Sequence, residues 1–523
     1  MQNPINFLKN QLTAVKGKFG KRALEISDVA GGAINPFILG GMGLQPARAF
    51  QDWFVSNLTE DASIRWSQQQ LRAYSRDLVR TNVYIKRYKS ILANQIIGDT
   101  GITLHVNARE PDGTADYFAN QQIEACWNTW GQTGNCTVDG GVSLLDALKL
   151  IVQTLAIDGE IFIRMFNTGD FGFSLQFLEA DFCPVSHNGM FEGNRVINGI
   201  EFDDMTRPIA YWLYDEHPGS MPDSTKSSAL TRVPADSVLH LYFKERGSQT
   251  RGIPWTAPAI PSIRILDRYT NAELMSSWAS SCLMGTIETA VGSPAPVAPY
   301  QGTTKLPADK KLSGMEIGPM SINQLPAGKT LKWNSPGHPS TQYQMFVKTI
   351  LGGIAASLNI SYTTLAFDLS AANYSSMRAG LLDERQHFQT VQNYLIEHLL
   401  DVIYPKWLKQ QILNGNLNLP MAKFWKFNSP QWHPRRWSWV DPAKDAQGIQ
   451  LQLALGLVSR TEICGEQGRD FETVIQNLAK EQDLLDKYGV QLPSIKPTQL
   501  AKEQEQIEAG QDPNAQEEPK QLQ

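Results

Sequence analysis

A Gly-Lys-Thr triplet, Gly328 to Thr330 in the stretch LPAGKTLKW, is the first group of residues that could do chemistry. The same triplet ends a phosphate-binding loop when a glycine stands five positions before it and a helix follows it. Here that earlier position is Asn323, and the following TLKWNSP is typical of a strand that Pro336 closes. The stretch therefore predicts a hairpin turn and a strand, and it argues against a nucleotide site.

Two smaller groups of reactive residue types are also present. Asp158 and Glu160 flank a glycine in LAIDGEIFIR, but Asp-Gly where a helix turns into a strand is ordinary turn chemistry. Cys183 and His187 have the spacing of half a zinc site, and no second pair at ligand spacing follows them. We therefore expect no catalytic residue, no metal and no cofactor, and a chain that is not an enzyme.

Composition narrows the class of protein further. The chain has 523 residues, which favours roughly three modules at the usual 100 to 200 residues per domain. Its 42% hydrophobic and 19% charged residues are ordinary for a folded protein. The net charge of −5 argues against a protein that binds nucleic acid through its overall electrostatic field.

No apolar run approaches the roughly 18 residues of a membrane span. The five cysteines form no C-x-x-C pair, which suits a reducing cytoplasm.

Periodicity predicts a mixed α+β fold. Apolar residues recur at helical spacing from Leu71 to Ile97 and stop at Gly98, while several short alternating stretches between 173 and 245 predict an antiparallel sheet. The tryptophans of the helix around Trp127 and Trp130 are expected in the core. Residues 1–60 and the acidic, polar segment 491–523 are expected to be partly or wholly disordered.

Two long helices are predicted on either side of a proline-rich excursion. They cover 256–284 and 343–359, and the segment 290–340 between them holds eight prolines. Adjacent glycines at 352 and 353 each cost a helix interior about 1 kcal/mol, so we expect another backbone to pack closely against them. A polar loop then precedes a further helix at 376–403, which Pro405 should bend or end.

Several stretches, in this order, resemble the lambda family of bacteriophage portal proteins. Together they span roughly residues 70 to 485, and one departure is Ile360-Ser361, where many relatives have Val-Pro. The matching stretches are SRDLVRTNVYIKRYKSILANQIIGDTGITL, LAIDGEIFIR, VPADSVLHLYFKERGSQTRGIPWTAPAI, LPAGKTLKWNSPGHP, IAASLNISYTTLAFDLSAANYSSMRAGLLDERQHFQ and WVDPAKDAQGIQLQLALGLVSRTEICGEQGRDFE.

The resemblance implies the portal fold of a ring-forming subunit, with a mixed α/β wing, a helical stem, a small α/β clip and a helical crown. The expected domains are a partly disordered N-terminal arm (1–60), the wing (61–250), a stem helix (251–289), the clip (290–340), a return stem helix (341–362), a tunnel loop (363–376), a long wing helix with the following turn (377–440), crown or C-terminal helices (441–490) and a disordered tail (491–523).

The resemblance also implies a function. Such a ring, usually of twelve subunits, lies at one capsid vertex, acts as the channel for packaging and ejecting double-stranded DNA, and docks the terminase large subunit and head-completion or adaptor proteins. Major capsid and scaffolding proteins are further expected partners, a membrane is not, and the location is the virion, with the host cytoplasm during assembly. Two alternatives stay open: a packaging enzyme such as a motor ATPase or nuclease, and an assembly scaffold that never closes a ring.

Two sets of site residues follow from the resemblance. Small neutral donors in the tunnel loop suit sliding DNA, because strong cations would hold phosphates; the simpler alternative is that Ser375 or Ser376 caps the next helix. The DNA-facing set is Asp368, Ser370, Asn373, Tyr374, Ser375, Ser376 and Arg378. The set facing terminase or an adaptor in the clip is Lys305, Asp309, Lys310 and Lys311.

A first prediction concerns the tunnel loop. Replacing residues 373–376 by lysines should leave assembly intact yet stall DNA packaging, because the added ammonium groups would bind phosphate. Packaging of DNA into heads carrying the variant measures this, and heads that fill normally would contradict the assignment of the loop.

Overall fold

The computed structural model describes residues 58–220, 229–281, 285–289, 329–333, 342–370, 374–437, 442–466 and 471–490. The chain divides into two compact units, Met1–Pro430 and Gln431–Gln523, which are described separately below.

A helix broken at one asparagine opens the first unit. Helix α1 (Glu60–Thr81) stops at Asn82, whose backbone is extended, and α2 (Val83–Leu92) begins directly after it. Asn82 caps α2, because its Oδ1 accepts hydrogen bonds from the amides of Tyr84 and Ile85. One turn of π-helix, Ala93–Ile97, continues α2 to Gly98, and the left-handed φ of Gly98, 70°, ends the helix. The predicted helix 71–97 therefore exists as two helices, and its end at Gly98 is confirmed.

Aromatic side chains form the core beneath the next elements. Strand β1 (Thr103–Val106) is followed by α3 (Tyr117–Trp130) and α4 (Leu144–Asp158). Trp127 and Trp130 are buried and lie 4.9 and 6.0 Å, centroid to centroid, from Trp407. The prediction that these tryptophans belong to the core is confirmed.

Two antiparallel sheets make up the predicted β-rich middle. The three-stranded sheet has the order β3-β2-β9, with β2 (Glu160–Phe166) at its centre. The five-stranded sheet is a meander in chain order, whose pairing in register places Ile200 opposite Tyr211. The other strands are β3 (Ser174–Leu178), β4 (Gly189–Phe191), β5 (Asn194–Ile197), β6 (Ile200–Phe202), β7 (Pro208–Tyr214), β8 (Leu230–Pro234) and β9 (Val238–Tyr242).

The long-helix pair is present with shorter bounds than predicted. Helix α5 covers Ile260–Ser281 and α6 covers Tyr343–Ser357, and Tyr269 on α5 contacts Phe346 on α6 at 4.6 Å between ring centroids. Residues 285–289, expected to be part of the stem helix, instead form strand β10 (Gly285–Thr289). This strand pairs antiparallel with β11 (Lys329–Trp333). Lys329 and Thr330 thus lie in a strand, as the sequence predicted.

The remaining helices of the first unit follow closely. After α6 come α7 (Tyr362–Ala366), α8 (Tyr374–Leu395), α9 (Asp401–Leu413) and the short α10 (Phe424–Phe427). One turn of π-helix, Ile396–Leu400, joins α8 to α9, and Pro405 lies inside α9. The sequence predicted that Pro405 bends or ends the helix; it does not end it, because α9 continues past Pro405 to Leu413. A proline at this position removes one backbone hydrogen bond of the helix.

Strand β12 (Pro430–His433) starts at the last residue of the first unit, and the described residues of the second unit include three further helices. These are α11 (Pro442–Ala454), α12 (Arg460–Glu466) and α13 (Phe471–Tyr488). The sequence predicted helices in this region.

A buried ion cluster joins α1, the central strand and the segment leading to α5. Glu160, at the start of β2, is fully buried, and its carboxylate accepts hydrogen bonds from Arg251, Gln68 and the Gly252 amide at 2.6 to 2.9 Å. Burial alone would raise the pKa of Glu160, but the charge of Arg251 and the hydrogen bond with His240 outweigh it, so the pKa lies well below its ordinary value.

The turn before Glu160 has no room for a side chain. Gly159 adopts a φ of 88°, and a Cβ at this position would collide with the backbone of Ile253. Asp158, on the other side of the turn, forms a bidentate pair with Arg76 of α1 at 2.7 and 2.8 Å. Both acids of the Asp-Gly-Glu stretch therefore hold the fold together.

We predict that Glu160→Gln lowers the free energy of unfolding by about 3–5 kcal/mol, because it leaves the buried Arg251 without its counterion. Urea denaturation measures this. The matched control is Glu60→Gln, which removes a pair with the half-exposed Arg246 and should cost less than about 1 kcal/mol.

The pH dependence follows from the depressed pKa. Glu160 stabilises the fold fully above its unfolded pKa of about 4.3, and that stabilisation is lost as the pH falls below this value. A wild-type chain and a Glu160→Gln variant that lose stability in parallel on acidification would contradict this role.

Candidate functional site

The candidate site is the base of the predicted tunnel loop, where the chain leaves α6, forms α7 and enters α8. Helix α7 ends at Ala366 and is followed by Phe367, a non-glycine residue with a φ of 56°, and then by Asp368 and Ser370. Asn373 lies outside the described residues. Helix α8 begins at Tyr374, so Ser375 and Ser376 lie within its first turn and neither stands before the helix to cap it.

Glu384 of α8 anchors the start of α7. Its side chain is 4% exposed; Oε1 accepts a hydrogen bond from the Ser361 amide at 2.6 Å, and Oε2 accepts one from the Thr364 hydroxyl at 3.0 Å. Ser361 also caps α7, since its Oγ accepts from the Thr364 amide. A proline at 361 could supply neither the amide donor nor the hydroxyl. Serine, where many relatives have proline, therefore stabilises the start of α7 in this chain.

Arg87 of α2 supports the other end of α7. Its Nε donates to the carbonyl oxygen of Thr364 at 2.9 Å, and its guanidinium lies 4.7 Å from the centre of the Phe367 ring. Phe367 is 70% exposed and adopts a left-handed backbone conformation that is rare for a bulky residue. A cation over an aromatic face is attractive, so Arg87 stabilises this unusual helix end.

Both carboxylate oxygens of Asp368 are bonded at the loop base. Its Oδ1 accepts from the Ser370 amide and hydroxyl at 3.0 and 2.6 Å, while Oδ2 accepts from the Tyr362 hydroxyl and pairs with Lys348 Nζ, both at 2.9 Å. The Ser370 hydroxyl and the Lys348 ammonium together hold the pKa of Asp368 well below its ordinary value. Asp368 is thus ionised, and its charge is balanced by Lys348 of α6.

Sequence reasoning found only part of this site. Asp368 and Ser370 were predicted, and Arg378 lies half-buried on α8. It missed Lys348, Arg87 and Glu384, which come from three different helices. The Asp-x-Ser spacing was a readable sign of a local turn. The partners on other helices leave no such local sign.

The clip residues Lys305, Asp309, Lys310 and Lys311 lie outside the described residues. The structure therefore gives no test of the predicted terminase-facing or adaptor-facing set.

Other groups of possible ligands are engaged in the fold. Glu179, Asp181 and His217 bring three ligand atoms within 4.8 Å of one another, but Arg76 pairs with both carboxylates at 2.7 and 3.0 Å. His217 Nδ1 accepts from the Gly219 amide, which puts the proton of a neutral ring on the Nε2 that would have to bind a metal. This arrangement does not suit a metal ion.

Cys183 behaves as a core residue. It is buried, its Sγ contacts the carbonyl oxygens of Asn198 and Gly199, and burial raises the pKa of its thiol to about 11. A thiol that stays protonated is a poor metal ligand. Across the described ranges, none of the helices combines the length and the apolar character needed to cross a bilayer.

Comparison with known proteins places this site in a family context. The profile of the phage portal protein, lambda family, matches residues 47–392. A probable portal protein of Halomonas phage phiHAP-1 is 31% identical over 442 residues, which cover 84% of this chain and 85% of the relative. Portal protein B of Escherichia phage lambda is 20% identical over 468 residues, covering 82% and 86%. A chain from the neck of a native gene transfer agent particle aligns with a TM-score of 0.40 and 14% identity, over 76% of this chain and 93% of that one.

The described helices and antiparallel sheets define an α+β protein, and the family profile places it in the portal class. On the extent of the profile match and the identity to the Halomonas phage protein, the chain belongs to the lambda family of phage portal proteins. The resemblance seen in the sequence is thereby confirmed.

We predict graded effects at Ser361. Ser361→Ala removes the cap of α7 and should cost about 1 kcal/mol, whereas Ser361→Pro also removes the donor to the buried Glu384 and should cost about 2–4 kcal/mol. Hydrogen exchange of the α7 amides measures this, with faster exchange expected in the order wild type, alanine, proline. Equal exchange in the two variants would mean that the Glu384 contact contributes nothing.

Proposed function

We propose that this chain forms the portal ring at one vertex of a phage capsid. The ring is the channel for packaging and ejecting double-stranded DNA, and it docks the terminase large subunit and the head-completion or adaptor proteins. The observation that carries the proposal is the family match over residues 47–392, which includes both long helices and the loop base between α6 and α8. The proposal keeps the twelve subunits that the resemblance implies.

An exposed apolar face on α5 supports self-association. Leu274, Met275 and Trp278 lie within about one turn and are 62%, 68% and 69% exposed. Clustered large apolar side chains of this kind mark surfaces that bind another protein. The two described helices of the stem thus leave one side uncovered, as expected if a neighbouring copy covers it.

The adjacent glycines of α6, Gly352 and Gly353, also support self-association. Among the described residues, a Cβ added at Gly352 or Gly353 would meet no atom within 4 Å outside its chain neighbours and its own helix backbone. The sequence predicted a closely packed backbone at this position, and the described part of the chain does not supply one. In the proposed ring the backbone belongs to the next copy, which makes the contact heterologous, the kind that closes into a ring.

The strand pair β10–β11 supports the clip assignment. These strands pair from Gly285↔Trp333 to Thr289↔Lys329, so they bring together the two ends of the intervening segment. A segment closed at its base in this way can act as a separate docking module. In the proposed function it presents Lys305, Asp309, Lys310 and Lys311 to terminase or an adaptor.

The wing (61–250), the crown (441–490) and the tunnel-loop segment (363–376), which includes most of α7 and the start of α8, are proposed with the bounds predicted from the sequence. Asp368, Ser370, Asn373, Tyr374, Ser375, Ser376 and Arg378 are the proposed DNA-facing residues. The location is the capsid vertex of the virion, with assembly in the host cytoplasm, where capsid and scaffolding proteins are the further partners.

No catalytic step belongs to this proposal, and two experiments separate it from its alternatives. A packaging motor would hydrolyse ATP as the purified chain alone, whereas a portal ring needs terminase for that reaction. A scaffold that never closes a ring would show no single large assembly.

We predict that Trp278→Glu prevents assembly, because it places a charge in an interface that α5 offers to a neighbouring copy. The side chain is 69% exposed in the single chain, so the fold should survive. Mass photometry measures the outcome, with monomers expected in place of rings. The matched control is Trp425→Glu, 81% exposed on α10, which should leave rings intact. Rings of wild-type mass from Trp278→Glu would remove α5 from the interface.

A further inference from the structure

We propose that Lys348 is a latent DNA-phosphate-binding residue of the channel, and that Asp368 occupies it as a substitute anion so that the duplex is not gripped. The ligand class is the phosphodiester backbone of double-stranded DNA. This inference rests on the proposed function, because it assumes that the loop base faces the channel.

The pair is open to an incoming phosphate. Lys348 Nζ lies 2.9 Å from Asp368 Oδ2, and the two side chains are 33% and 24% exposed. A phosphate oxygen forms the same charge-assisted hydrogen bond with an ammonium group as a carboxylate oxygen does. The geometry therefore sets carboxylate and phosphate in direct competition for one cation.

Asp368 is held in place independently of Lys348. The Ser370 amide and hydroxyl fix Oδ1, and the Tyr362 hydroxyl fixes Oδ2. Most exposed ion pairs must order two long side chains, whereas here the anion is already positioned before the lysine arrives. A preorganised carboxylate can return to Lys348 each time a phosphate passes.

A second cation of the loop base, Arg87, is engaged as well. Arg87 donates to the Thr364 carbonyl and lies against the Phe367 ring. Duplex DNA carries one negative charge per about 1.7 Å of its axis, so each unpaired cation facing a channel would add a phosphate contact and slow sliding. Pairing Lys348 and Arg87 inside the chain leaves neither of these two cations free to hold DNA.

The test uses assembled rings and a fluorescent linear duplex, with binding measured over a series of salt concentrations. The variants are Asp368→Asn, Lys348→Met and the double variant. Asparagine keeps an oxygen acceptor for Ser370 but removes the charge. Asp368→Asn should bind DNA about tenfold or more tightly at low salt. The slope of log affinity against log salt should steepen by about 0.9 for each Lys348 that meets a phosphate.

A matched control removes a charge of the same kind elsewhere. Asp112 accepts from the Thr114 amide and hydroxyl at 2.9 and 2.6 Å, the same turn that Asp368 makes with Ser370, and among the described residues it has no ion-pair partner. Asp112→Asn changes the net charge equally, so it should bind DNA as the wild type does.

The double variant decides between a charge effect and a change of loop shape. If Asp368 masks Lys348, adding Lys348→Met returns both the affinity and the salt slope to wild-type values. Tighter binding that persists in the double variant, or that Asp112→Asn reproduces, overturns the inference. An unchanged slope in rings of Asp368→Asn overturns the inference alone, whereas a wild-type chain that forms no ring overturns the proposed function and this inference with it.

Discussion

The fold of the first unit depends on keeping one carboxylate ionised in the buried core. Glu160 is fully buried, and α1, the three-stranded sheet and the segment before α5 meet at it because each supplies a donor: Gln68, His240, Arg251 and the Gly252 amide. A buried charge is tolerated only when its partners are complete, so the position of each element is set by the others. The start of α5 is therefore fixed relative to the sheet.

At the loop base, too, carboxylates are held by partners from several elements, but one of the two carboxylates is partly exposed. Glu384 and Asp368 are each satisfied by the local turn and by groups on other helices, which ties the short α7 to α6 and α8. Glu384 is buried, so its contacts serve rigidity. Asp368 is partly exposed, so its contacts also decide which charges the surface presents. The buried Glu384 and the partly exposed Asp368 thus both hold α7 in place, from α8 and from the end of α7 respectively.

Local sequence signals predicted the elements well, and contacts between distant elements escaped them. Gly98 ended a helix as expected, Asp-Gly at 158–159 formed a turn, and the β-rich middle was antiparallel, since each rests on neighbouring residues. Residues 285–289 were expected in a helix but form a strand, because their partner lies some forty residues further along. Asn82 interrupts a helix whose apolar spacing continues past it. At the site, the Asp368 turn was readable, whereas Lys348 and Arg87 are brought there only by the packing of α6 and α2.

The central claim is that copies of this chain close into a ring around a channel, and imaging of the purified wild-type protein tests it most directly. Negative-stain or cryo-electron microscopy should show closed rings with a central hole in views along the axis. Solitary compact particles at micromolar concentration, or open strings of subunits without closure, would contradict the account.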